Sequence, residues 1–361
     1  MQKAGCNPIP ARVKSHAAAE SRRKISSHES GAPINLRAPF PLMKKFLLLA
    51  IVALASVVRA DETGRLEVLF LGDDGKHEPS KRFFQALPAL APRGINLTYT
   101  ARMEDVNPAN LAKYDVLAIY ANTVKLAPEQ EKAMLGFVQG GKGLVPLHCA
   151  SACFHNSEEY VRLVGAQFKS HGTGTFSAKI VKPDHPIMAG FNGFETWDET
   201  YLHDKHNADR TVLQERDGEP WTWVRNEGKG RVFYTAYGHD ERTWSNPGFH
   251  DLVYRGIVWA AGDAAAARLK EWTPKPFAYD ATKLVPNYEK RTPPPQYQLP
   301  LDPAESRKHI QKPVDADLSL FASDPEIVNV IEMNWDERGR LWVIETCTPL
   351  GLAHAQSHPT S

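Results

Sequence analysis

A parallel α/β fold is predicted by three observations on the 361-residue sequence. Short apolar runs alternate with amphipathic stretches from Arg65 onward. The runs are rich in Val, Leu and Ile with little polar alternation, as strands buried on both faces are. The third observation is that only Cys149, Cys153 and Cys347 follow residue 60, too few for a disulfide-built scaffold, so a core must hold the fold.

The elements follow in order. LEVLFL reads as a strand and Ser80 to Leu90 as the helix behind it; INLTYT is followed by Asn107 to Leu111, DVLAIY by Pro128 to Val138, and GLVPLH by Ser157 to Val164. Strand then helix, repeated, gives a parallel sheet with helices on both faces. From Gly165 to Arg231 the rhythm changes to polar segments rich in aromatic and His residues, read as strands and loops built over the sheet. Val232 to Ala236 restores a buried strand and Phe249 to Ala260 a closing helix, so the domain is expected to span 65–262.

The flanks are of other kinds. Met43, Lys44 and Lys45 precede an apolar stretch of 13 residues, Phe46 to Val58, and then Val58-Arg59-Ala60. Residues 43–60 therefore read as a signal peptide cleaved after Ala60. The stretch is shorter than the roughly 20 residues of a spanning helix, so export is expected, to the periplasm or outside the cell, without a stable membrane span. Residues 1–42 have no apolar period and read as a disordered basic arm or as sequence upstream of a true start at Met43. Ten of the 43 basic and two of the 42 acidic residues lie in 1–60, so the remainder carries a formal charge of −7. That argues against nucleic acid or an anionic membrane as the main partner.

Eight prolines from Pro274 to Pro303 predict a linker over 263–325. IVNVIEMNWDERGRLWVIET, within 326–346, reads as a β-hairpin, and because a lone hairpin is marginal it is expected to open a truncated β-domain. Residues 347–361 carry no pattern and are expected to be an unstructured tail, as in a truncated or frameshifted gene.

LVPLHCAS, HGTGTF, DHPIMAGF, WDETYLH and GRVFYTAYGHDERTW resemble the motifs of the trehalose-utilisation, ThuA-like family from about Leu66 to Gly262. The resemblance implies a flavodoxin-like sheet of the class I glutamine amidotransferase type and a link to carbohydrate metabolism. The linker and hairpin resemble the junction to a β-propeller in large secreted haem-binding proteins, but the sequence has no Cys-x-x-Cys-His and that function is not carried over.

In amidotransferases of this architecture a cysteine nucleophile occupies the turn where Cys149 stands. Its activation needs a neighbouring base, and no His-x-Glu follows at the expected place: His185 is followed by Pro186 and Ile187. A functional glutamine amidotransferase is therefore not expected. Cys149 and Cys153, one helical turn apart, can be a disulfide or two buried thiols.

The ThuA-like pattern instead points to His148, Glu199 and His239 as catalytic residues. Two of them lie where strands of an open parallel sheet end, the place at which such sheets bind ligands. Two His and a carboxylate there suit acid-base chemistry near neutral pH. His77, His171, Trp197, Tyr201 and Trp244 are the candidate substrate-binding residues, the aromatics as stacking surfaces for sugar rings. No cofactor is required by these motifs and no metal ligands are assigned, although His148, His171, His203, His206, His239 and Glu199 supply enough donors for a catalytic zinc. The expected function is acid-base chemistry on a sugar or keto-sugar, with a small-molecule carbohydrate as partner. The alternative is a non-catalytic carbohydrate-binding module.

Overall fold

The computed structural model describes residues 13–16, 64–272 and 274–345. The predicted signal peptide and the tail after 346 lie outside the described residues. The chain divides into two units, one of residues 59–318 and one of 1–58 with 319–361.

The larger unit is a mixed α/β domain on an eight-stranded sheet. Its parallel half consists of β1 (Leu66–Leu71), β2 (Ile95–Thr100), β3 (Val116–Ile119), β4 (Gly143–Pro146) and a late strand, Gly230–Thr235. Apolar side chains pointing both ways fit burial on both faces, and every residue of β1, β3 and β4 is buried. Behind them run α1 (Pro79–Leu90), α2 (Pro128–Gln139), α3 (Glu158–Val164) and a helix at Pro247–Ala260. Proline opens α1, α2 and the last of these, where its missing N–H costs nothing. The Ser157 hydroxyl caps α3 by accepting from the Tyr160 N–H at 2.9 Å.

The polar stretch from Gly165 to Arg231 differs from the expectation. Only β5 (Gln167–Phe176) and β7 (Thr196–Asp204) form a separate antiparallel ribbon. The strands β6 (Lys179–Ile180), β8 (Thr211–Arg216) and β9 (Glu219–Glu227) join the main sheet antiparallel, beside β10 (Gly230–Thr235). The order is β2-β1-β3-β4-β10-β9-β8-β6, a flavodoxin-like 2-1-3-4-5 half with an antiparallel extension. Period-2 patterning marks a strand but not its partner.

With the Pro247–Ala260 helix as α4, helical packing on the core continues past 262. The alanine run forms α5 (Asp263–Trp272), whose Ala265 and Leu269 join the core. Trp272 lies under the Arg65 guanidinium, 4.6 Å from the ring centre. The proline-rich segment then follows the edge strand β2: Gln311 Nε2 donates to the Ile95 carbonyl at 3.1 Å and Asn96 Nδ2 to that of Lys312 at 2.9 Å. Covering the exposed edge with irregular chain removes a template for aberrant pairing.

In the smaller unit, Val330–Trp335 and Leu341–Glu345 form the predicted hairpin, to which Val13–His16 adds a third strand. The Asp336 carboxylate closes the turn by accepting from the backbone N–H of Arg338 and Arg340 at 3.0 and 2.9 Å. No described helix is long and apolar enough to cross a membrane.

Candidate functional site

Four strands deliver the site. β1 runs into the loop carrying His77, β3 leads to Asn122, β4 ends just before His148, and β10 runs into the Ala236 to His239 turn. These are carboxyl ends of parallel strands around the point where the strand order reverses, between β1 and β3. Glu199 comes from the ribbon strand β7.

Glu199 is the hub. Its carboxylate lies 3.3 Å from His148 Nε2, 3.2 Å from His239 Nδ1 and 3.4 Å from His171 Nδ1. Burial opposes its charge, yet the neighbouring His148 and His239 imidazoles hold its carboxyl well below the usual carboxylate range. His77 completes the group, its ring centre 5.2 Å from that of His148 and 5.4 Å from that of His239. One donor atom each from His77, His148, Glu199 and His239 all lie within 4.8 Å of one another.

The imidazoles are oriented from behind. His148 is fully buried, and its Nδ1–H donates to the Ala236 carbonyl at 2.7 Å. That bond fixes the ring's orientation and turns Nε2 toward Glu199. The Tyr201 ring stacks on the same imidazole, with centres 4.2 Å apart. His148 has φ 46°, in the left-handed region, and its carbonyl accepts from the Tyr234 hydroxyl at 3.0 Å. His77 Nδ1–H donates to Asn122 Oδ1 at 2.6 Å, so its Nε2 is likewise free to face the cluster. Burial, with His148 adding to it, pushes the His77 imidazole down to about 4.

His239 sits at the mouth, its side chain 29% exposed, and the Glu199 carboxylate raises its pKa. Its turn is held by Asp198, which is fully buried. The Asp198 carboxylate accepts from the N–H of Gly238 at 2.8 Å, from that of His239 at 3.0 Å and from the Thr243 hydroxyl at 2.8 Å.

The three expected catalytic residues, His148, Glu199 and His239, are therefore brought together, and His77 and His171 join them. Three expectations change. Trp244 is fully buried, donating its indole N–H to the Gly238 carbonyl at 2.8 Å and packing on Tyr120 and Phe249, so it presents no stacking face. Tyr201 is buried as the backing of His148. Trp197 remains at the rim, but one face is covered by the Arg242 guanidinium, 3.3 Å from the ring centre. His203 and His206 lie outside the cluster: His203 pairs with Glu219 at 3.1 Å and Tyr234 at 3.0 Å.

Cys149 and Cys153 are free, buried thiols, and burial pushes both well above their usual range. With no exposure to solvent, Cys149 is not placed as a nucleophile. Asn122 and Asp198 were missed by sequence reasoning. Asp198 had a signal, being the residue before Glu199 in WDETY; Asn122 had none.

Residues 67–260 match the family described as trehalose utilisation, ThuA, and residues 302–351 match a domain of unknown function, DUF7133. No curated protein matches. Among solved structures, a ThuA-like protein from Parabacteroides merdae is 17% identical over 55% of this chain and 90% of its own, with a TM-score of 0.47. Another from Bacteroides uniformis is 16% identical over 55% and 92%, with a TM-score of 0.48. A β-galactosidase from Bacillus circulans sp. alkalophilus is 14% identical over 55% and 31%, with a TM-score of 0.40. With its family match running from β1 to the end of α4, this chain belongs to the trehalose-utilisation (ThuA) family.

Proposed function

We propose that the protein is an exported enzyme acting on a sugar or keto-sugar of trehalose-type metabolism, with its chemistry at the Glu199 cluster. One observation carries the reading. A buried carboxylate is surrounded by imidazoles at the strand ends, with one side open through His171 and His239, which are 41% and 29% exposed. Such a group accepts the proton of a sugar hydroxyl, or of a C–H beside a sugar carbonyl, as a general base. The half-exposed histidines at the mouth supply proton transfer in and out. Trp197 at the rim offers one apolar ring face to a sugar.

Proton NMR of the purified chain in heavy water, with a panel of disaccharides and their 3-keto derivatives, tests this. Deuterium uptake or new products are expected, and both are expected to vanish in Glu199→Gln. Folded protein that changes no sugar in the panel would overturn the enzymatic reading. Saturable sugar binding without turnover would then support a carbohydrate-binding module.

A further inference from the structure

We infer that His77, His148, His239 and Glu199 bind a single divalent transition-metal ion of the zinc or manganese kind. The inference deepens the proposed function, and rests on that reading for the ion's role in polarising a sugar oxygen, though not for its binding.

Two buried nitrogens of the cluster are orphaned. His148 Nε2 and His239 Nδ1 are buried atoms with no hydrogen-bond partner, although each lies 3.2–3.3 Å from a Glu199 oxygen. A nitrogen lone pair facing a carboxylate oxygen at that distance is repulsive, unless a cation lies between them. A proton on either nitrogen would serve only if it made a hydrogen bond, and neither contact has hydrogen-bond geometry. A metal ion satisfies both nitrogens and the carboxylate together.

The distances agree. A tetrahedral centre with metal–ligand bonds of about 2.0–2.1 Å sets its donors roughly 3.3 Å apart, which matches the two Glu199 contacts. The outer limit of 4.8 Å among the four donors leaves the site slightly open. Tautomers agree as well, because Ala236 and Asn122 accept the Nδ1–H of His148 and His77 and turn the other nitrogen inward. That is the outer arrangement metal-binding histidines require. Three imidazoles and one carboxylate suit zinc or manganese rather than calcium or magnesium, which prefer all-oxygen sites. Three neutral ligands and one anion leave a net positive charge, so the ion would remain an electrophile toward an oxygen entering past His239.

A second buried polar group gives the contrast. His203 is satisfied at both nitrogens, by Glu219 and by Tyr234, so no atom there calls for a cation.

The test uses the untagged chain, stripped with chelator and titrated with zinc chloride or manganese chloride by calorimetry. Metal content is measured by mass spectrometry, and the visible spectrum of the cobalt-loaded protein reports coordination. One ion per chain is expected. Binding should be lost in His148→Ala and in the near-isosteric Glu199→Gln, weakened about 10–100-fold in Asn122→Ala, and unchanged in the exposed His206→Ala. Circular dichroism identifies any variant that fails to fold, in which case Glu199→Gln and Asn122→Ala decide. The inference is overturned by folded wild type that takes up neither ion, or by stoichiometric binding that survives Glu199→Gln. A bound ion without sugar turnover would sink the proposed function alone, whereas sugar turnover by folded protein that takes up neither ion would sink the metal site alone.

Discussion

His148 combines a left-handed backbone with complete burial, a pairing that persists only where its surroundings enforce it. Gly238 is one such surrounding. Its φ is +136°, and a Cβ there would come within 3.1 Å of His148 Cβ. Gly238→Ala should therefore cost about 1–3 kcal/mol and displace the imidazole, read as a lower denaturant midpoint together with lost metal uptake. Tyr234 supplies a second restraint through its hydroxyl. Tyr234→Phe strips a donor from the His148 carbonyl and a partner from Ser151, 2.9 Å away. A loss of about 1–3 kcal/mol is expected by chemical denaturation, and a variant as stable as wild type would show that the network is dispensable. At this scale the sequence was legible where a side chain itself enters the cluster: His148, Glu199 and His239 stood in quotable motifs. It was opaque for Asn122, whose contribution is to fix another residue's tautomer. Trp244 and Tyr201 misled because aromatic character does not say which way a ring faces.

Among the elements, β9 carries an electrostatic knot. Glu227 accepts from Arg162 at 2.8 Å, Arg225 at 2.9 Å and Gln139 at 3.0 Å. The Arg162 hydrogen bond leads the causes that hold its carboxyl at about 2, against roughly 4.3 unfolded. Because the folded value is depressed, the stabilisation is complete above about pH 4.3 and fades as pH falls toward 2. Glu227→Gln should flatten that part of the stability–pH curve in urea melts, and an unchanged slope would show that the knot contributes nothing. α5 shows where composition misleads. Proline density draws a linker over 263–325 that takes in the alanines of α5, although alanine is the best helix former. Leu269→Ala should cost about 2–5 kcal/mol, measurable as a lower melting temperature; a linker residue would cost almost nothing. The parallel strands were legible because each is a short run dominated by Val, Leu, Ile or aromatic residues and followed by a helical pattern. The sheet membership of β8 and β9 was not, since it depends on pairing across distant sequence.

For the molecule as a whole, ligand binding to the native state alone raises stability by mass action, about 2.7 kcal/mol at a free concentration one hundred times Kd. For a domain of this size that corresponds to a melting shift of roughly 5–10 °C. Zinc or manganese should produce it in wild type and fail to do so in Glu199→Gln, and an equal shift in both would mean that the ion binds elsewhere.

The ribbon of β5 and β7 contributes Glu199 but pairs with no strand of the main sheet, whereas His77, His148 and His239 are rooted in that sheet. Anything gripped by all four side chains therefore ties the ribbon to the main sheet, in addition to the Asp198 bonds to Gly238 and His239 and the His203 bond to Tyr234. Occupancy should act as a clasp on the ribbon: amide exchange along Gln167–Phe176 would slow on loading, far more than in β1 or β3, which are protected already.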